Sequence, residues 1–231
     1  MAKIIITHGL VSSSKAGLVS YLAKEYSREN HEVITPDFPF AIIPNPLWDR
    51  EFRNAVGIPD TNTYFINIST SWVIGAHYLD SVENIIGGAA MITPFLDIDY
   101  HKVRNDFMRS MKHFDFEEKK QDVMELTEHF KISPTKDYEH LKNLLADMQH
   151  FALKGLLTKP FNLERVAGRA IKKICIGSSD DPYISRDQLG IISKKLNADA
   201  YEMKNAGHLT GFYYEKFPQV KDITDRMVYD V

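Results

Sequence analysis

The chain has 231 residues, of which 44% are hydrophobic and 26% charged, with a formal net charge of −3. Those values fit one globular domain of ordinary composition. They argue against nucleic acid as a partner, which needs a concentrated basic surface, and against a membrane partner, since no run approaches the roughly 18 apolar residues of a spanning helix.

In chain order, "AKIIIT" (2–7) reads as a short strand buried on both faces. Its apolar run Ile4, Ile5, Ile6 ends at once in Thr7 and His8, unlike a signal peptide. "SKAGLVSYLAKEYSREN" reads as an amphipathic helix with Leu18, Leu22 and Tyr26 on one face and Ser13 or Ser14 as its cap. "HEVITPDFP" is a second strand stopped by prolines, "NTYFINI" (62–68) a third, "STSWVIGAHYLDSV" a helix, and "ENIIGGAAMITPF" a fourth strand. After a long interval come the strand "AIKKICIGS" (170–178), the helix "SRDQLGIISKKL" (185–196), the strand "ADAYEMKNAG" and a last helix from about Lys216. The single cysteine, Cys175, excludes an internal disulfide and suits a reducing, cytoplasmic setting. In its apolar run it reads as a buried small hydrophobe rather than a nucleophile.

Strand and helix alternating in this way predict an α/β fold: a mostly parallel sheet with helices on both faces. The interval from 96 to 165 breaks the rhythm, being charged and helical ("DFEEKKQDVMELTEHF", "TKDYEHLKNLLADMQHFALKGLL") without a convincing strand. It leaves from the carboxyl end of a strand, where sites form in such sheets, and is read as a helical cap inserted into one domain spanning 1–231.

Three strand ends carry reactive residue types. Ser69 follows the third strand, Asp180 and Asp181 follow "ICIGSS", and His208 follows "YEMKNAG". Serine, aspartate and histidine in that order match the chain order of the α/β-hydrolase triad. A serine hydroxyl is a weak nucleophile until a histidine takes its proton, and that histidine needs a carboxylate to hold its tautomer. Each residue also has a plain reading alone: Ser69 as a helix N-cap, Asp181-Pro182 as a turn, His208 as a loop histidine. Their placement together at strand ends favours catalysis. His8 and Gly9, at the end of the first strand, are candidate pocket residues.

"IIITHG", "PNPLWDREF", "GSSDDPYIS" and "NAGHLTGF" together resemble the small serine hydrolases related to retinoblastoma-binding protein nine, over roughly residues 1–95 and 170–215. The resemblance implies an α/β-hydrolase fold with Ser69 as nucleophile, Asp181 as acid and His208 as base. It also implies an oxyanion hole made by the backbone N–H groups of Thr70 and Leu10. The family surrounds its nucleophile with Gly-His-Ser-x-Gly; here the five residues are Asn67, Ile68, Ser69, Thr70 and Ser71. Glycines at those flanks relieve crowding where a strained serine turn brings strand and helix together. Ser71 is a small substitute, whereas Asn67 demands a widened turn or a hydrogen bond to its amide.

Other signals are weak. "GLVSSSKAG" lacks the Gly-Lys-Ser/Thr ending of a phosphate loop, and no G-x-G-x-x-G follows the first strand. Neither H-E-x-x-H nor a Cys/His cluster suggests a metal. Trp48 and Trp72 read as packing residues. The expectation is a cofactor-free cytoplasmic serine hydrolase acting on a small-molecule ester, thioester or amide. The alternative is a catalytically silent protein on the same scaffold that binds a ligand or partner.

Overall fold

The computed structural model describes residues 1–9, 15, 17–36, 46–82, 86–96, 101–102, 105, 161–208 and 214–229. Among them, six strands form one sheet: β1 Lys3–Thr7, β2 Glu32–Ile34, β3 Thr63–Ile68, β4 Gly88–Ile92, β5 Lys172–Ser178 and β6 Asp199–Met203. The spatial order is β2-β1-β3-β4-β5-β6, and every neighbouring pair is parallel. The helices are α1 Gly17–Arg28, α2 Pro46–Val56, α3 Ser71–Ser81, α4 Leu163–Ala167, α5 Gln188–Leu196 and α6 Phe217–Val228.

The two-residue period of a strand divides the core into two layers. Ile5, Phe65, Ala89, Met91 and Cys175 face α2, α3, α4 and α5; Ile4, Ile6, Ile66, Ile68, Ala90, Ile92, Ile174 and Ile176 face α1 and α6. The central strands are therefore apolar on both sides, the pattern a parallel sheet covered by helices requires. On the first side Phe52, Phe65 and Tyr78 meet edge to face with centroids 5.1–5.5 Å apart. Each such contact contributes about 0.5–1.5 kcal/mol beyond burial. On the other side α1 buries Leu18, Val19, Leu22 and Tyr26, the face its spacing predicts. Helix α3 is buried nearly all round, because it lies between the sheet and its neighbours α2 and α4.

Several boundaries differ from the sequence reading for local reasons. Helix α2, not anticipated behind the "PNP" punctuation, buries Phe52 and Val56 four residues apart on one stripe. The sixth strand stops at Met203, since Asn205 and Gly207 both adopt left-handed backbone (φ 51°). The last helix begins at Phe217, after a 3₁₀ turn over Tyr214–Lys216. The caps Ser13 and Ser14, the Trp48 side chain and most of the 96–165 cap lie outside the described residues. Cys175 is fully buried, and desolvation pushes its thiol up to about 12, so it is not a thiolate near neutral pH. No helix among the described residues is long and apolar enough to cross a membrane.

Candidate active site

The carboxyl edge of the sheet gathers the three residues singled out from the sequence. Ser69 follows β3 directly, and its backbone has φ +54°, a left-handed conformation uncommon for serine. Its N–H donates to the carbonyl of Ile92, the last residue of β4, at 2.8 Å. The side chain is thereby turned off the strand, with Oγ 2.8 Å from His208 Nε2. The other ring nitrogen, Nδ1, lies 2.6 Å from Asp181 Oδ2. With a carboxylate on that side, Nδ1 carries the proton and Nε2 accepts from the serine hydroxyl. The Tyr183 ring stands edge-on to His208, with centroids 5.1 Å apart.

The simpler readings of these residues resolve one by one. Ser69 is not the helix cap: Thr70 occupies that position, without a side-chain capping bond. Asp181 serves a turn and the histidine at once, since its Oδ1 accepts the N–H groups of Tyr183 at 2.8 Å and Ile184 at 3.2 Å. Those bonds fix the carboxylate so that Oδ2 faces the ring. His208 sits in a loop and is 9% exposed.

Asp180 has a different task from its neighbour. Its Oδ1 accepts from the Ser178 hydroxyl and from the backbone N–H groups of Ala206 (3.1 Å) and Gly207 (3.3 Å). It thus clips the loop carrying His208 to the end of β5. The Ser178 hydrogen bond, helped by those N–H groups and opposed by partial burial, holds its carboxyl below the ordinary range.

Gly9 lies directly against the serine turn. His8 is fully buried, with Nδ1 2.9 Å from the Gly9 carbonyl oxygen. A methyl group at Gly9 would lie 2.7 Å from Ser69 Cβ and 3.3 Å from its Oγ, so the serine's own side chain occupies the space that a residue here would need. Thr70 is buried at the start of α3. Leu10 lies outside the described residues.

The sequence called for a hydrogen bond to the Asn67 amide but did not name its partners. Thr7 and Asn67 are register partners in β1 and β3, on the face toward α3. Thr7 Oγ1 lies 2.9 Å from Asn67 Oδ1 and 2.8 Å from Ser71 Oγ. Ser71 Oγ accepts the Ile68 N–H at 2.8 Å and lies 2.9 Å from the Ile68 carbonyl oxygen. These side chains are at most 1% exposed. The available signals were Thr7 at the end of β1, Asn67 next to the end of β3 among apolar neighbours, and Gly75 inside a helix, where glycine usually marks close packing.

No family model matches the chain, and no curated protein matches it. Solved structures do. The ydeN gene product of B. subtilis superposes with a TM-score of 0.68 at 15% identity, covering 99% of this chain and 100% of that one. MGS-M2, an α/β hydrolase from a deep-sea metagenome of the Medee basin, gives 0.66 at 13%, covering 100% and 90%. The carboxylesterase CesB (YbfK) of Bacillus subtilis gives 0.62 at 13%, covering 100% and 84%. At such identities the likeness speaks to architecture, which agrees with the parallel sheet and two helical layers found here. The chain has the α/β-hydrolase fold.

Proposed function

We propose that this chain is a serine hydrolase that cleaves a small ester, thioester or amide through a covalent Ser69 acyl-enzyme. The observation that carries the reading is one line of contacts: Ser69 Oγ to His208 Nε2 at 2.8 Å, then His208 Nδ1 to Asp181 Oδ2 at 2.6 Å. Two hydrogen-bond distances on opposite ring nitrogens match the geometry in which a histidine can take a serine proton.

The steps follow from that geometry. His208 Nε2 accepts the Ser69 proton as Oγ bonds to the substrate carbonyl carbon, and Asp181 stabilises the resulting imidazolium. Backbone N–H groups of Thr70 and Leu10 would receive the oxyanion, as in the family resembled by "GSSDDPYIS" and "NAGHLTGF". The carbonyl then re-forms, the bond to the leaving alcohol, thiol or amine breaks, and His208 protonates that group. Water attacks the acyl-enzyme with His208 again as base, releasing the acid and restoring Ser69. The left-handed backbone at Ser69 also supports the reading, since strain of this kind collects at catalytic turns and is what a nucleophile elbow imposes. On this view the turn is an elbow that has lost both flanking glycines, and the small acyl compound is turned over in a reducing, cytoplasmic setting.

The test is labelling with a fluorophosphonate probe, comparing wild type with Ser69→Ala and His208→Ala. Labelling that requires both residues is the expected result, followed by turnover of short acyl esters. A folded wild type that takes up no probe would overturn the proposal in favour of a silent binding protein.

A further inference from the structure

Asn67 occupies a place where the backbone leaves little room. The turn at Ser69 drives β3 straight into α3, so the side chain two residues before the serine must pass under the first turns of that helix. Asn67 nevertheless has no more than 1% exposure and an ordinary place in the β3 ladder, opposite Thr7 and Met91. The room comes from the helix. A methyl group at Gly75 would lie 2.5 Å from Asn67 Nδ2, 2.9 Å from its Cγ and 3.1 Å from its Oδ1. Contacts below 3 Å do not occur between real atoms of these kinds, and an amide packed under a helix cannot swing away as an exposed chain would. Gly75 is the fifth residue of an eleven-residue helix, where glycine costs about 1 kcal/mol relative to alanine.

We infer that Asn67 and Gly75 are a size-exchanged pair, with bulk moved from the helix to the strand, and that Asn67 is a positioning residue for Ser69. This rests on the serine-hydrolase reading. The freed space holds a polar bracket. Asn67 Oδ1 accepts from the Thr7 hydroxyl, which also lies 2.8 Å from Ser71 Oγ, and Ser71 Oγ accepts the Ile68 N–H. Ser69 is thus flanked on its amino side by Asn67 and Ile68 and on its carboxyl side by Ser71, all tied to β1 through Thr7. A glycine at 67 would leave the Thr7 hydroxyl with one fewer buried acceptor. The bracket fixes by hydrogen bonds a turn that flanking glycines would otherwise allow by absence of bulk.

The test is a double-mutant cycle on the full chain, read by fluorophosphonate inactivation and by thermal unfolding. Gly75→Ala is expected to slow labelling by about tenfold or more, because small displacements of a nucleophile are costly. In the Asn67→Gly background, where the clash is gone, the same Gly75→Ala change should alter labelling by no more than about twofold, a difference between backgrounds well beyond the scatter of independent sites. Equal losses in both backgrounds would overturn the exchange. Thr7→Val keeps the bulk and removes the hydroxyl; it should lower the maximal inactivation rate while leaving the half-saturating probe concentration unchanged. A Thr7→Val protein that melts earlier but labels at the wild-type maximal rate would overturn the positioning role. If wild type does not label at all, the hydrolase reading fails on its own, while the non-additivity of Gly75→Ala and Asn67→Gly in Tm still decides the exchange.

Discussion

At the amino edge of the sheet, Lys221 meets Glu29 and Asp225 through four contacts between 2.7 and 3.0 Å and lies 4.2 Å from the centre of the Tyr26 ring. His31 accepts the Ala2 N–H on Nδ1 and meets the Tyr229 hydroxyl on Nε2, and that hydroxyl donates to Glu29. At the carboxyl edge, Ser69, His208 and Asp181 are joined by single contacts. Both edges are polar and hydrogen-bonded. They differ in charge and in backbone. The amino edge neutralises its cation with redundant bonds and uses Asn30, a residue that tolerates left-handed backbone, where its chain must turn. The carboxyl edge places Ser69 (φ 54°) and the β-branched Thr93 (φ 51°) in that conformation, and both bond the same carbonyl, that of Ile92. The carboxyl edge thus holds a serine and a threonine against their backbone preference, and strain of this kind collects at functional sites.

The largest expected break in this comparison is Asp181→Asn. It can keep the turn bonds to Tyr183 and Ile184 through Oδ1 but presents an amide donor to His208 Nδ1, favouring the wrong tautomer. Esterase or probe-labelling activity should fall by about 10³–10⁴-fold with the protein still folded. Unchanged activity would show that the carboxyl edge is held for structure alone.

At the other edge the effects should reverse. Lys221→Met removes the cation from between Glu29 and Asp225, and denaturant unfolding should show a loss of about 1–2 kcal/mol, limited by the exposure of Glu29. Labelling of Ser69 should be untouched, and a drop in it would tie the two edges together.

The smallest effect concerns His31. Burial is the main cause that holds its pKa below the ordinary 6.5, with the N-terminal ammonium and Lys221 adding and Glu29 and Asp225 opposing. Its Nδ1 must stay unprotonated to accept from Ala2. The unfolded chain therefore takes up a proton that the folded chain resists. The contribution is fully present above 6.5 and is lost as pH falls through the folded value. Thermal melts should show Tm dropping on acidification below 6.5, and His31→Gln should flatten that dependence by about 1–2 °C.

Much of the architecture was legible because it rests on local chemistry. The apolar runs at Ile4–Ile6, Phe65–Ile66 and Ile174–Ile176 can be satisfied only in a sheet covered on both faces, and alternation with helices makes it parallel. The boundaries missed were those set by backbone conformation, as at Asn205 and Gly207, or by a burial stripe short enough to hide behind prolines, as in α2. The order of Ser69, Asp181 and His208 in the chain also stood in the sequence, since parallel strand ends are where such residues meet.

The sequence by itself determined the sheet, its two apolar faces and the placing of Ser69, Asp181 and His208 at its carboxyl edge. Tertiary structure alone decided how the serine turn is accommodated. Asn67 and Gly75 are eight residues apart in chain position, and Thr7 is sixty residues from Asn67. No periodicity links them. They meet only because β1 pairs with β3 in one register and α3 returns over both, so that space left by one glycine is filled by a side chain from a different element. Close packing is a property of the assembled interior, and a residue that breaks a local pattern is understood only beside the atoms that make room for it.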